Sequence, residues 1–471
     1  MKIWINKQNE EMPSKQYEEA LIFNILDKSN KSNVKTDVEE LWKMFGLENL
    51  SNINEDLLLI GISLFCTDKR VFRSKFEDSW TRVLEMNIPV IELEKWNSVQ
   101  KELESMLEFL SGDIWSIEFR KSNERLRTNN RNSKMEEIKV NKFDAVSLFS
   151  GGLDSFCGAL KLMEEGVRTC FVGFREYNLV SEGQMDLFNA IDTYYSKINK
   201  KPILFSVTPM APLDIDGKPI YTKIESTSRS RSFLFLTGAI SVASMLGEKT
   251  PVFIPENGFI GINVPLTDSR NGSCSTRTTH VYFINSFNEI LDKLGIGNKI
   301  SNFYSFKTKG EIVKEHKDNP VFKQYARKTI SCSHPCLCRY DGIKPPKNCG
   351  YCYPCLIRKA SLNTIGHNND EYNPKYKLSN TFISEFNAIN GKASDLKALL
   401  LSVKRYLNHK DDKNYIKNLL LKHGKLSFEE LNKYEEVYLK SMDEILQMFI
   451  EEDKKNNGGL LNYLGYKKEG R

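Results

Sequence analysis

The chain has 471 residues, 40% of them apolar, and carries 67 basic against 61 acidic side chains for a net charge of +6. That length exceeds what one hydrophobic core usually supports, so two or three domains are expected, and the apolar content excludes disorder as a reading of the whole. The charge is mild and evenly spread, which permits an anionic ligand but lacks the concentrated basic stripe of a dedicated nucleic-acid binder.

The opening residues, MKIWINKQNE, have no apolar stretch of the signal-peptide kind. No run approaches the roughly 18 apolar residues of a membrane span, so a cytoplasmic location and no membrane partner are expected. Residues 1–140 read as a mixed α+β N-terminal domain, with a possible role in partner docking. In it Leu84, Met86, Ile88 and Val90 alternate as in a half-buried strand. Val99, Leu103, Met106, Leu107 and Leu110 recur at helical spacing, and Trp115, Ile117 and Phe119 suggest a closing strand. Residues 121–142 turn polar and charged, as in a linker or exposed connection.

From Phe143 the rhythm becomes strand, turn, helix. Expected strands are Phe143–Phe149, Thr169–Phe174, Ile203–Thr208, Pro251–Pro255 and Ile300–Phe306. Expected helices between them include Ser181–Ile198, Ser232–Leu246 and Val281–Leu294. This alternation predicts an α/β fold, a parallel sheet with helices on both faces, over residues 141–368. Thr308 with Glu311 and Ser427 with Glu430 each fit a capping box at a helix start. Residues 369–471 read as a C-terminal helical domain, with Leu396, Leu399, Leu400, Val403 and Leu407 on one face. No internal repeat is evident.

Ser150-Gly151-Gly152-Leu153-Asp154-Ser155 follows an apolar strand and opens a helix that ends near Gly166. A glycine pair lets the chain turn sharply and brings backbone N–H groups within reach of phosphate oxygens. The helix N-terminus adds unpaired donors and partial positive charge, and Ser150 and Ser155 add hydroxyls. No Gly-Lys-Ser/Thr follows, so this is neither a Walker A loop nor a dinucleotide fingerprint. The bland alternative is a glycine-rich turn without a ligand.

Of ten cysteines, six fall between Cys332 and Cys355, and a cytosolic setting argues against disulfides. Cys349, Cys352 and Cys355 form two successive C-x-x-C steps, a spacing that closes on one tetrahedral Zn²⁺. On spacing alone the fourth ligand is Cys332, Cys336 or Cys338. An all-thiolate set also suits an iron–sulfur cluster, though nothing else in the chain speaks of electron transfer.

With both motifs placed, residues 143–365 resemble the QueC, or 7-cyano-7-deazaguanine synthase, family of N-type ATP pyrophosphatases. The S-G-G-x-D-S loop is shared. Arg231-Ser232-Phe233-Leu234-Phe235-Leu236-Thr237-Gly238-Ala239 is similar to the family's R-N-x-x-F-L-x-x-A helix, with Ser232 in place of Asn. Lys309-Gly310-Glu311-Ile312 matches K-x-E-I. Ser331-Cys332 and the run from Cys349 to Arg358 match S-C and C-G-x-C-x-x-C-x-x-R. The comparison selects Cys332 as the fourth metal ligand beside Cys349, Cys352 and Cys355, although the insert carrying Cys336 and Cys338 departs from the family. The front region with Trp80-Thr81-Arg82 and Gly112-Asp113-Ile114-Trp115, and the segment from Glu256 to His280, look like QueC-like proteins of bacterial anti-phage operons, the QatC group in particular.

The resemblance implies an adenine nucleotide alpha hydrolase-like fold and ATP-dependent adenylation of a 7-deazaguanine carboxylate, with ATP, Mg²⁺ and Zn²⁺ as cofactors. Ammonia, or the N-terminus of a protein partner from the same operon, would accept the activated group, and a homo-oligomer is possible. Ser150, Gly151, Gly152, Leu153 and Ser155 would hold the departing pyrophosphate, and Asp154 would orient the loop or place Mg²⁺. Lys309 and Arg231 are candidates to neutralise phosphate charge, weighed against surface or capping roles. Glu256, Asn257, Arg270 and Arg277 are candidates to line the base pocket, weighed equally against structural roles. The rival readings are a non-catalytic nucleotide-binding scaffold of a defence complex, and another enzyme of the same loop class, such as a tRNA-modifying one.

Overall fold

The computed structural model describes residues 1–26, 31–43, 45, 50–126, 142–176, 178–225, 229–266, 277–367, 372–374, 378, 394–422, 424–455 and 460–465. Most of the polar connection at 121–142 and Arg270 lie outside the described residues. The described strands are β1 (Lys2–Asn6), β2 (Leu21–Asn24), β3 (Val34–Thr36), β4 (Val83–Val90), β5 (Ile114–Lys121), β6 (Ala145–Leu148), β7 (Thr169–Phe174), β8 (Lys200–Phe205), β9 (Val207–Pro209), β10 (Val252–Phe253) and β11 (Ile300–Ser301). The helices that matter for the site are α1 (Glu39–Lys43), α2 (Asn52–Arg70), α3 (Leu93–Ser98), α4 (Gln100–Ser111), α5 (Leu153–Glu164), α6 (Asn178–Tyr194), α7 (Arg231–Leu246), α8 (Gly258–Ile262), α9 (Val281–Lys293), α10 (Lys309–His316), α11 (Pro320–Tyr325) and α12 (Tyr353–Asn363).

Two parallel sheets carry the fold. The central one runs β11-β10-β6-β7-β8, every neighbouring pair parallel. In order of appearance that is 5-4-1-2-3, the doubly wound arrangement, and the order reverses between β6 and β10. Both faces are covered, as the unbroken burial of β7 requires. Cys170, Val172 and Phe174 point into the cluster that includes α7 and α9, whereas Phe171 points into the cluster built by α5, α6 and α10.

The N-terminal strands pair as β2-β1-β4-β5, also parallel throughout, with α3 and α4 between β4 and β5. The alternation of Leu84, Met86, Ile88 and Val90 buries one face of β4. Between the two sheets lies α2, buried along nearly its whole length because it is apolar on every side over Leu57–Cys66. It crosses α7 so closely that a Cβ on Gly61 would stand 2.3 Å from Thr237 Oγ1. One apolar cluster therefore continues from Ile3 through α2 and α7 to Ile300. The antiparallel pair of β3 with β9 adds a second seam between the layers.

The stretch expected as a strand over Ile300–Phe306 is shorter. Asn302 Oδ1 accepts the Tyr304 amide at 2.9 Å, an Asx-type turn that ends β11 after Ser301. Both expected capping boxes are present, at Thr308/Glu311 and at Ser427/Glu430. The C-terminal described residues are helical: Ser394–His409, Lys413–Leu421, Phe428–Lys455 and Leu460–Leu464. They share a core with α8, α12 and the clustered cysteines, and Leu396, Leu399, Leu400 and Val403 are buried in it. No described helix is long and apolar enough to cross a membrane.

Candidate active site and metal centre

The loop 150–155 leaves the C-terminal end of β6, beside the point where strand order reverses, the position where open parallel sheets bind ligands. Gly151 has φ of +76°, a left-handed conformation that a side chain resists, and a Cβ there would press on Gln184 Cγ at 3.0 Å. Gln184 of α6 in turn donates to the Phe149 carbonyl at 2.6 Å. Ser150 Oγ and Ser155 Oγ lie 3.1 Å apart, and Gly152 N donates to Ser150 Oγ at 3.3 Å. Gly152 caps α5 without a side-chain hydrogen bond, so the helix start is left to other partners.

One of those partners comes from far along the chain. Ser331 Oγ accepts the Leu153 amide at 3.1 Å, and Ile330 N donates to the Gly151 carbonyl at 3.0 Å. The segment 329–331 is itself held from behind. Asn348 accepts Ser331 N at 3.0 Å and donates to Thr329 O at 3.1 Å. Arg358, fully buried, donates to Thr329 Oγ1 at 2.5 Å and to Ala326 O at 2.8 Å. Ser331 immediately precedes the first cysteine of the cluster, so order there is transmitted to the loop.

Asp154 is 5% exposed and sits at the centre of a charged group. Its Oδ2 accepts Lys309 Nζ at 3.0 Å, across 155 residues of sequence, and Asn257 Nδ2 at 2.8 Å. Its Oδ1 is buried and accepts from no amide, ammonium or hydroxyl, and the neighbouring Glu256 carboxyl hydrogen-bonds the Asp154 side chain when protonated. Burial works to raise the Asp154 carboxyl, but the Lys309 charge and the hydrogen bonds outweigh it and hold the group below the ordinary carboxylate range. Glu256 has the opposite environment: burial first, then the charge of Asp154, push its carboxyl well above the ordinary range. Two facing carboxyls with separated affinities are the arrangement of an acid beside a base. Glu256 follows β10, and Asn302 clamps it by donating to its carbonyl at 2.7 Å.

The cysteine segment closes on itself. Cys332, Cys349, Cys352 and Cys355 bring their sulfurs within 4.8 Å of one another. The Cys332–Cys352 and Cys349–Cys355 separations are both 3.9 Å. Four sulfurs at about 2.3 Å from one tetrahedral ion stand nearly that far apart, so the set could hold a single metal ion such as Zn²⁺. Backbone amides of His334 and Cys352 donate to Cys332 Sγ and Cys349 Sγ at 3.2 and 3.3 Å, which favours the thiolate form. Of the three choices that spacing left open, the geometry takes Cys332. Cys338 instead turns to the Pro335 carbonyl, and Cys336 stands outside the group.

Asp154, Lys309, Glu256 and Asn257 thus converge, with the loop and the metal segment around them. Arg231 joins a different set. It is exposed at the start of α7 and pairs with Glu176 Oε2 at 2.5 Å, and Lys69 shares the same carboxylate at 3.1 Å. Arg277 donates to the Phe109 carbonyl at 2.9 Å and stacks over that ring at 4.7 Å, which ties it to α4. Ser331 and Arg358 stood in the motifs without a role, and their spatial partners explain their positions. Nothing in the sequence pointed to Asn348 or Asn302. Comparison with known proteins finds no family model and no curated protein that matches this chain.

Proposed function

We propose that this protein is a QueC-like PP-loop ATP pyrophosphatase, akin to the QatC group of anti-phage systems, that activates a 7-deazaguanine carboxylate by adenylation. The observation that carries the reading is the meeting of Asp154 with Lys309 and Asn257 beneath an S-G-G-x-D-S loop at the sheet's switch point.

In the proposed step a substrate carboxylate oxygen attacks the α-phosphorus of ATP. The bond from that phosphorus to the bridging oxygen breaks, and pyrophosphate leaves with the electron pair. An amine, from ammonia or a protein N-terminus, then attacks the acyl carbon, loses a proton and displaces AMP. The glycine turn and the start of α5 supply N–H groups to the phosphates. Lys309 supplies positive charge beside them, the kind of fixed electrostatics on which such transfers depend. Asp154, a hard carboxylate whose hydrogen bond with Glu256 an incoming cation can replace, would hold Mg²⁺, which would screen the charge of the leaving pyrophosphate. Glu256, which burial and the Asp154 charge bias toward its protonated form, is placed to donate or return a proton.

The test is product analysis with Mg·ATP and 7-carboxy-7-deazaguanine. AMP and pyrophosphate should appear only with the deazapurine, and Asp154→Ala should lower the rate by about 1,000-fold or more. ADP and phosphate as products, or no turnover, would remove this chemistry and favour the scaffold.

A further inference from the structure

The helix Phe428–Lys455 packs against α8, α10 and α12, so one C-terminal element touches three pieces of the site's outer wall. Its most specific contact is Glu444. Gly310 N donates to Glu444 Oε2 at 3.1 Å, and Thr308 Oγ1 donates to Glu444 Oε1. These two residues flank Lys309 in sequence. The approach is close enough that a Cβ on Gly310 would stand 2.3 Å from Glu444 Oε1, so a side chain there would displace that carboxylate. One turn earlier, Lys440 pairs with Glu311, the acidic half of the capping box, at 2.9 Å.

A start of α10 already capped by Thr308 and Glu311 has little need of a second carboxylate for helix stability. What the extra carboxylate does is fix the two peptide units from which the Lys309 side chain departs. Lys309 then reaches Asp154 through a buried path, its side chain 7% exposed. A lysine has four rotatable bonds, and a small rotation at the helix start moves its ammonium by more than a hydrogen-bond length.

We propose that Glu444 is a positioning residue: the C-terminal helix uses it to hold Lys309 in register with Asp154, and so makes that helix part of the catalytic machinery. The inference deepens the functional reading above and rests on it for the chemistry, not for the contact.

The experiment uses the full-length protein with Glu444→Ala and Glu444→Gln, each checked for metal content and far-UV circular dichroism. Reductive methylation with formaldehyde and borohydride, read by mass spectrometry, reports Lys309 against the exposed Lys317. Lys309 labelling should rise about tenfold in Glu444→Ala, as local opening becomes easier, and return most of the way in Glu444→Gln, which keeps one acceptor oxygen. In turnover, kcat should fall by about 100-fold in the alanine variant, the scale of loss from a misplaced catalytic group. Unchanged Lys309 labelling in both variants overturns the proposal, as does kcat within twofold of wild type. If the alanine variant fails to fold, Glu444→Gln decides by the same labelling, with a rise of about twofold expected. Absence of ATP turnover in the wild type would defeat the functional reading, while the labelling still decides whether Glu444 holds Lys309.

Discussion

Two buried ion clusters, one in each layer, show how the same ingredients serve different ends. In the N-terminal layer Arg82 donates to Asp68 Oδ1 and Asp113 Oδ2, both at 2.5 Å, and is fully buried. Arg73 grips both oxygens of Asp113, at 2.6 and 2.9 Å. Asp68 Oδ2 accepts the amides of Arg229 and Ser230 at 2.6 and 2.8 Å, just ahead of α7. Every carboxylate oxygen is taken. In the central layer Asp154 binds Lys309 and Asn257 through one oxygen and faces a second acid, Glu256, that hydrogen-bonds it only while protonated. A wrapped carboxylate, buried and met on both oxygens by fixed cations and amides, joins elements together; one that shares a proton with a second acid is poised to trade that proton for a ligand. Of the N-terminal residues that looked like a family signature, Asp113 belongs to the first kind, and Arg82 binds it although its own Nε is buried without a partner.

Cutting the metal centre should have the largest effect, because metal binding free energy is folding free energy for such a segment. Cys352→Ser is expected to lose stoichiometric metal, measured by elemental analysis, and to raise hydrogen exchange across 329–331 and the loop 150–155 together. Exchange confined to 349–355 would show that Ser331 does not transmit order to the loop.

The wrapped cluster should fail as structure and not as chemistry. Asp113→Ala takes one of two carboxylates from Arg82, which keeps Asp68, and the bidentate contact from Arg73, and should cost about 3–5 kcal/mol in denaturant unfolding. Below the transition its KM for ATP should stay within about twofold of wild type, since no substrate group is touched. A large KM change would blur the distinction drawn here.

Gly61→Ala probes the seam between the layers. A methyl group 2.3 Å from Thr237 Oγ1 must push α2 from α7, at a cost of about 1–3 kcal/mol. Pairing it with Thr237→Ala, which removes the hydroxyl, tests whether that contact carries the cost. Independent, additive losses would place the strain elsewhere.

The smallest effect concerns pH. Burial pushes the carboxyls of Glu444 and Glu55 up to about 7 from the usual 4.5. Each is protonated in the folded state where the unfolded chain is ionised. Their contribution to stability is therefore full below pH 4.5 and is lost as pH rises through 7. Glu444→Gln should flatten part of the decline in Tm across that window, and Glu55→Gln another part. An unaltered slope in both would show that neither group carries the linkage.

Local chemistry was legible where it depends on neighbours in sequence. The alternation in β4, the two capping boxes, the glycine turn after β6 and three of the four sulfurs are set by spacing along the chain. What spacing could not reach was anything decided by contact between distant segments. Cys332 became the fourth sulfur because Arg358 and Asn348 hold 326–331 against the loop. Arg231, plausible from its motif, pairs with Glu176 beyond the end of β7 instead of meeting Asp154. The strand at Ile300 stops early because Asn302 turns back to clamp Glu256, a partner 46 residues upstream. The sequence by itself determined which segments form strands, turns and a cysteine knuckle, since those rest on backbone preferences and short-range geometry. Tertiary structure alone decided that Asp154, Glu256 and Lys309 meet, with Glu444 on the turn that carries Lys309, because only packing removes enough water for charges so far apart in the chain to find and retune one another.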